Sequence, residues 1–138
     1  MSLRVLILDD EPIVGKRLGP AIAKMGCETE SFTDPKAALA RLEESAFDII
    51  VTDIRMDDID GISVLEHVLR RSPDTKVIMI TGYATMEVAR EALAKGAFDF
   101  LAKPFKPGQL REMIANAAAE LGVELELPQT GEETLADG

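Results

Sequence analysis

Three short segments carry side chains that could handle a phosphoryl group. Asp9-Asp10 directly follows the apolar run Val5-Leu6-Ile7-Leu8, Asp53 follows Ile49-Ile50-Val51-Thr52, and Lys103-Pro104 follows Phe98-Asp99-Phe100-Leu101-Ala102. If these runs lie side by side in a parallel sheet, three carboxylates and one ammonium converge at its carboxyl edge. Such a cluster needs neutralising charge, and a divalent cation is the obvious candidate. Mg2+ takes hard oxygen ligands and keeps several waters, so one or two carboxylates plus a carbonyl suffice. With the cation in place, one carboxylate can attack phosphorus to give an aspartyl phosphate. The transition state then calls for positive charge and donors aimed at the equatorial oxygens. Lys103 offers an ammonium, Thr81 a hydroxyl at the end of the run Val77–Thr81, and Gly82 leaves backbone room.

Taken singly, each of these residues has a plainer reading. A strand-terminal Asp is commonly a turn or helix-capping residue. Thr81 before Gly82 is compatible with simple strand propensity, and Lys103 with an ordinary surface position. It is the combination at separate strand ends that carries weight.

The elements that must position these groups follow a βαβ rhythm, in which short apolar runs alternate with stretches of helical period. Strands are expected near Arg4–Leu8, Glu28–Phe32, Ile49–Asp53, Val77–Thr81 and Phe98–Leu101. The first, third and fourth are nearly continuous Val, Ile, Leu and Met, as strands covered on both faces should be. The second, with Glu28, Thr29, Glu30 and Ser31, suits a sheet edge. Helices are expected near Ile13–Met25, Pro35–Glu44, Gly61–Arg71, Thr85–Lys95 and Gly108–Leu121. Asp34-Pro35 supplies an N-cap followed by proline at the first helical position, and Gly26 and Gly96 supply left-handed C-terminal caps. In the fourth helix, Met86, Ala89, Leu93 and Ala97 trace an apolar stripe, leaving Glu87, Arg90 and Glu91 to solvent. The expected fold is a doubly wound, five-stranded parallel α/β sheet of flavodoxin-like order 2-1-3-4-5. Its ligand crevice then lies between strands one and three, which Asp9-Asp10 and Asp53 flank.

Composition bounds the remaining classes. A chain of 138 residues is expected to form one domain. The single cysteine, Cys27, excludes an intramolecular disulfide framework. No apolar stretch approaches the roughly 20 residues that span a bilayer. The N-terminus runs straight into a strand without a basic-then-apolar leader, so the expected location is the cytoplasm, away from membranes. A formal net charge of -10 argues against direct grip on nucleic acid. Five of the acids, Glu124, Glu126, Glu132, Glu133 and Asp137, lie in the last stretch, leaving 20 acidic residues against 15 basic elsewhere. We therefore expect the domain to occupy residues 1–121 and residues 122–138 to form an acidic, disordered tail. A short strand over Val123–Leu127 is the alternative for its beginning.

These motifs together resemble the receiver domain of two-component response regulators (the CheY-like family) over roughly Arg4 to Leu121. The resemblance rests on Leu8-Asp9-Asp10-Glu11, on Asp53-Ile54-Arg55-Met56 with Asp60-Gly61 following, on Thr81-Gly82, and on Lys103-Pro104-Phe105. It implies that Asp53 is the phosphoacceptor. Asp10 would bind Mg2+ (or Mn2+) directly, Asp9 mainly through water, and Asp53 and the Arg55 backbone carbonyl would complete the protein ligands. Lys103 would contact Asp53 and the phosphoryl group, with Lys103-Pro104 a cis peptide. Thr81 would swing towards the phosphoryl oxygen while Phe100, in the place of the switch aromatic, moves inward. Phosphorylation would alter the surface made by the fourth helix, fifth strand and fifth helix. The implied partners are a sensor histidine kinase or phosphotransfer protein, a downstream partner or output domain, and a second copy in a phosphorylation-dependent homodimer. Ala97–Phe105 is similar to receivers of the nitrogen-regulation type of transcriptional activator. The chain departs from the family pattern at Asp57, where proline often stands, and Asp58 adds a further loop carboxylate.

Arg55 and Tyr83, two positions after Asp53 and Thr81, are bulky and are expected to shield an acyl phosphate from water. His67, the only histidine, falls beside Val64, Leu65 and Val68 and reads as a partly exposed helical residue, so the phosphoryl donor must be a separate molecule. Cys27 reads as a small buried or turn residue, and Met25, Met56, Met79, Met86 and Met113 as core or edge filler. Two other classes compete. A haloacid-dehalogenase-like phosphatase would use Asp9 as nucleophile with Glu11 two positions on, but the chain has no cap insertion. A receiver-shaped module that is never phosphorylated would not need the intact acid, Thr and Lys set. A nucleotide site is disfavoured because Asp9–Gly19 lacks closely spaced glycines.

Overall fold

The strands form where apolar, largely β-branched runs can be covered on both sides, and the helices where polar residues interrupt them at helical period. The structure is a computed structural model and describes residues 2–54, 60–82 and 86–125. Along the chain come β1 (Arg4–Leu8), α1 (Pro12–Ala23), β2 (Glu28–Phe32), α2 (Pro35–Glu44), β3 (Ile49–Asp53), α3 (Gly61–Arg71), β4 (Lys76–Thr81), α4 (Met86–Ala94), β5 (Asp99–Ala102) and α5 (Pro107–Glu120). The strands are all parallel in the order β2-β1-β3-β4-β5, the doubly wound sheet expected from the sequence.

Strand alternation sorts the core into two layers. On one face Val5, Ile7, Ile49, Val51, Ile78, Ile80 and Leu101 pack with Leu18 and Ile22 of α1 and Leu110 and Ile114 of α5. On the other, Leu6, Leu8, Ile50, Val77 and Met79 pack with Ala38 of α2, Val64, Leu65 and Val68 of α3 and Ala92 of α4. Every residue of β3 is buried, as befits the middle of the sheet. The polar β2 is an edge, where Glu30 takes hydrogen bonds from Arg41 at 2.8 and 2.9 Å and from Arg4 at 3.3 Å.

The local punctuation follows the expected chemistry. The Asp34 carboxylate accepts the Lys36 N–H at 3.1 Å, and Gly26 and Gly96 adopt φ of 93° and 105°. Element ends differ by a residue or two, β4 starting at Lys76 and β5 running Asp99–Ala102.

The face of α4 is different from expectation. Ala92 is fully buried and Val88 packs against the core, whereas Met86 and Leu93 are 69% and 48% exposed. At the end of α4, the left-handed turn at Gly96 lets the Ala97 N–H reach the Ala92 carbonyl at 3.0 Å. Ala92 faces inward, and the longer Leu93 faces out. Met86 is therefore a surface residue and fills no part of the core.

Beyond α5, the Val123 N–H donates to the Ala118 carbonyl at 2.9 Å, and Val123 and Leu125 pack against the layer under α1 and α5. The rest of the segment expected as a tail lies outside the described residues. Among the described residues no helix is long and apolar enough to cross a membrane.

The two layers predict contrasting substitutions. Ile114→Ala should lower stability in urea unfolding by about 2–5 kcal/mol, whereas Leu93→Gln should stay within about 0.5 kcal/mol of the parent.

Candidate functional site

Parallel pairing delivers the acidic and basic residues to one edge. Leu8 is in register with Thr52, so the next positions on the two strands are Asp9 and Asp53. Thr81 is in register with Ala102, and the following Lys103 N–H donates to the Thr81 carbonyl at 2.8 Å. By alternation, Asp9, Asp53 and Lys103 continue the face of Ile7, Val51 and Leu101, while Thr81 continues the opposite face of Met79.

The Lys103 ammonium sits at the centre of the cluster. Its Nζ lies 2.7 Å from Asp9 Oδ2, 3.1 Å from Asp53 Oδ2 and 3.1 Å from Glu11 Oε1. Asp9 and Asp53 are buried and Asp10 is exposed. Asp9 Oδ1 also accepts the Glu11 N–H at 2.9 Å, which fixes the start of α1 against the site. Lys103-Pro104 is a cis peptide bond.

One ammonium does not satisfy this much buried negative charge. Burial pushes the Asp9 carboxyl above its usual range, although hydrogen bonds from Lys103 and the Glu11 N–H and the Lys103 charge pull it down; Asp53 adds to the upward push. Burial would lower the Lys103 pKa, but hydrogen bonds to Asp9, Glu11 and Asp53 more than reverse that, holding it firmly protonated. Asp9, Asp10 and Asp53 each place a carboxylate oxygen within 4.8 Å of the others. Mg–O bonds of about 2.1 Å put ligand oxygens roughly 3–4 Å apart, so small side-chain rotations close the set. The donors are all hard oxygens and the carboxylates carry uncompensated charge, which fits Mg2+ or Mn2+.

A close backbone approach supports Asp53 from below. Asp60 caps α3 by accepting the Ser63 N–H at 2.8 Å, and the Gly61 N–H donates to the Ile54 carbonyl at 2.7 Å. A Cβ at Gly61 would lie 2.2 Å from the Asp53 carbonyl oxygen. Only glycine lets α3 start this close to the strand that carries Asp53.

Of the residues predicted from sequence, the structure brings together Asp9, Asp10, Asp53 and Lys103. Thr81 is fully buried at the neighbouring strand end. Phe100 is half-buried in register with Met79 and packs on the same layer. Arg55, with its carbonyl, Tyr83, Met56, Asp57 and Asp58 lie outside the described residues. Sequence reasoning missed the contact between Glu11 and Lys103. Its only signal was a third acid directly after Asp9-Asp10 at the start of a helix.

Other positions stay clear of the site. His67, half-buried on α3, approaches Glu43 to 3.3 Å. Cys27 is buried, and burial pushes its thiol up and away from reactivity. A groove of about 340 Å3 lies at the far ends of α2 and α3, between residues such as Glu43, Ser45 and Arg71.

A parallel sheet in this order, with an acidic crevice at the point where the strand order reverses, is the CheY-like form of the flavodoxin-like architecture. The model of the response regulator receiver domain matches residues 5–115, and the chain belongs to that family. Receivers of this family are the phosphoacceptor parts of two-component signalling systems. The chain is 40% identical over 114 residues to the response regulator protein PilR of Pseudomonas aeruginosa, covering 83% of this chain and 26% of that one. It is 31% identical over 115 residues to the chemotaxis protein CheY of Thermotoga maritima, covering 83% of this chain and 96% of that one. Among solved structures, the beryllofluoride-activated NtrC4 receiver domain dimer is similar, with a TM-score of 0.81, 33% identity, and coverage of 85% of this chain and 97% of that one. A CheY-like receiver from Methanospirillum hungatei gives a TM-score of 0.84 at 30% identity, with coverage of 88% and 98%. The chain spans about a quarter of the length of PilR and of the AtoC regulator of Escherichia coli.

Two predictions follow the charge and the close approach. Because the folded state raises the Asp9 pKa, it holds that proton more tightly than the unfolded chain does. Ionising Asp9 therefore costs stability as pH rises above the ordinary value of 3.8. In metal-free buffer at pH 7, Asp9→Asn should raise the urea midpoint, with the gain lost as pH falls from the raised folded pKa towards the ordinary 3.8, below which both states are protonated. Gly61→Ala should cost about 1–3 kcal/mol in the same assay, because helix or strand must shift.

Proposed function

We propose that this chain is a phosphorylation-controlled switch in which Asp53 accepts a phosphoryl group from a partner histidine kinase or phosphotransfer protein. The observation that carries the reading is the Lys103 ammonium held at 3.1 Å from Asp53 and 2.7 Å from Asp9, across three strand ends. Asp53 Oδ attacks phosphorus in line, the P–N bond of the donor phosphohistidine breaks, and the imidazole leaves with a proton from solvent. Asp9, Asp10 and Asp53, with the backbone carbonyl of Arg55, would hold Mg2+ or Mn2+, which when bound neutralises the transferring phosphoryl oxygens. Lys103 supplies a charge-assisted donor to the same oxygens.

The switch follows from the two faces of the sheet. Thr81 hydrogen-bonds the new phosphoryl group, and Phe100, on the same face, moves into the space it leaves. Phe100 carries no phenolic hydroxyl, so the change works by packing alone. The surface altered is that of α4, β5 and α5, where Met86 and Leu93 are exposed on α4. Signalling requires a partner with different affinity for the two states. That partner is an output domain, a separate protein, or a second copy in a phosphorylation-dependent dimer. Similarity to relatives named as transcriptional regulatory proteins, DctD of Rhizobium meliloti and ZraR of Salmonella typhimurium, favours transcriptional control, with nucleic acid contacted by a part other than this domain. Arg55 and Tyr83, bulky residues two positions after Asp53 and Thr81 in the sequence, slow hydrolysis of the acyl phosphate. The domain is not an enzyme beyond its own phosphorylation and slow dephosphorylation, and it works in the cytoplasm.

Incubation with Mg2+ and acetyl phosphate tests this reading. The expected product is a hydroxylamine-labile adduct on Asp53 by mass spectrometry, absent from Asp53→Asn. Turnover of small phosphate esters that depends on Asp9 would instead point to a phosphatase of haloacid-dehalogenase type. No adduct under any Mg2+ concentration would leave only a receiver-shaped interaction module.

A further inference from the structure

The Lys103 ammonium has three N–H donors, and the structure gives it three carboxylates. The contacts are Asp9 Oδ2 at 2.7 Å, Asp53 Oδ2 at 3.1 Å and Glu11 Oε1 at 3.1 Å. An ammonium in this state is saturated. A phosphoryl group arriving on Asp53 needs one of its donors, so one carboxylate must let go.

Asp9 is the costly one to displace. Its side chain is 1% exposed and makes the shortest contact, and, unlike an exposed carboxylate, it cannot turn into water when the ammonium lets go. Asp53 is the residue that becomes modified and stays beside the lysine. Glu11 is 61% exposed, so its carboxylate can swing into water at little cost. Its side chain has no duty in the helix that it begins. Glu11 is the N-cap of α1, but its side chain makes no capping hydrogen bond, and proline follows at the first helical position. Its backbone is held separately, through the Asp9 carboxylate on its N–H at 2.9 Å. The carboxylate can therefore move while the chain stays in place.

We propose that Glu11 is a place-holding counter-ion for Lys103: it occupies one ammonium donor in the unphosphorylated protein and yields it to the phosphoryl group on Asp53. This rests on the phosphoacceptor reading above. Glu11 keeps the lysine aimed at the site in the resting state, and its exit frees the donor. Glu11 also sets a threshold, because its negative charge competes with the incoming anion for the same cation. It is a positioning residue, acting through Lys103.

The test is beryllofluoride binding to the full chain in the presence of Mg2+, followed by 19F NMR, for the parent, Asp53→Asn and Glu11→Gln. Glu11→Gln should bind beryllofluoride about two- to five-fold more tightly, the range expected for an exposed charge pair. Its affinity for Mg2+ alone should be equal or lower, since a carboxylate has been removed, so the gain cannot arise through the metal. In the ligand-free protein, the Lys103 ammonium protons should exchange with solvent faster in Glu11→Gln than in the parent. Glu11→Ala should repeat both effects. Beryllofluoride affinity that is unchanged or weaker in both Glu11 variants overturns the proposal and leaves the phosphoacceptor reading standing. A parent that takes up no beryllofluoride, or an Asp53→Asn variant that binds it equally well, overturns that reading and this proposal with it.

Discussion

One ammonium group holds the carboxyl edge of this sheet together. Lys103 follows the edge strand β5, yet its Nζ reaches carboxylates after β1 and at the end of β3, with β4 between. Burying Asp9 and Asp53 without a counter-charge would cost several kcal/mol each. Lys103 offsets part of that cost, and the raised Asp9 pKa marks the part left over. The edge is thus under tension that further positive charge relieves, which is a common property of sites built to bind and react. At Asp9 the fold disfavours the charge that a bound cation would need.

Strand alternation turns this edge into a device with two sides. Asp9, Asp53 and Lys103 extend the face packed under α1 and α5, whereas Thr81 and Phe100 extend the face packed under α3 and α4. The two sides meet at one backbone hydrogen bond, from the Lys103 N–H to the Thr81 carbonyl at 2.8 Å. A change in charge on the first face is therefore one peptide group away from a packing change on the second. The same close construction appears under Asp53, where Gly61 admits α3 to within contact of the strand backbone.

Much of this was legible in the sequence because it depends on local rules. Runs such as Ile49–Asp53 read as strands covered on both faces, and the more polar Glu28–Phe32 suited a sheet edge. The acids and the lysine fell at strand ends because that is where the runs stopped, so parallel pairing alone brought them together. What was not legible depends on rotation and reach. The apolar residues of α4 fit two helical stripes one step apart, and the stripe alone does not decide that Ala92 faces inward and Met86 and Leu93 outward. The bond between Glu11 and Lys103 joins side chains 92 positions apart. Its existence follows from the length of a glutamate and the tilt of α1, neither of which a spacing pattern encodes.

The difference between α3 and α4 bears on which element can respond. α3 buries Gly61, Ile62, Val64, Leu65 and Val68, whereas α4 fully buries only Ala92. Elements with few buried apolar contacts open and shift at low free energy, while well-anchored ones move only with the whole domain. A phosphoryl group can bias a conformational equilibrium by no more than its differential interaction with the two states. In the proposed switch, a handful of hydrogen bonds from Thr81 and Lys103 would supply a few kcal/mol at most. That would be too little to displace α3 from its five core residues, whereas α4 is anchored by far less buried apolar surface. Under that proposal the thin packing of α4, with two large apolar side chains already facing solvent, would make it the element through which so small a perturbation reaches the surface.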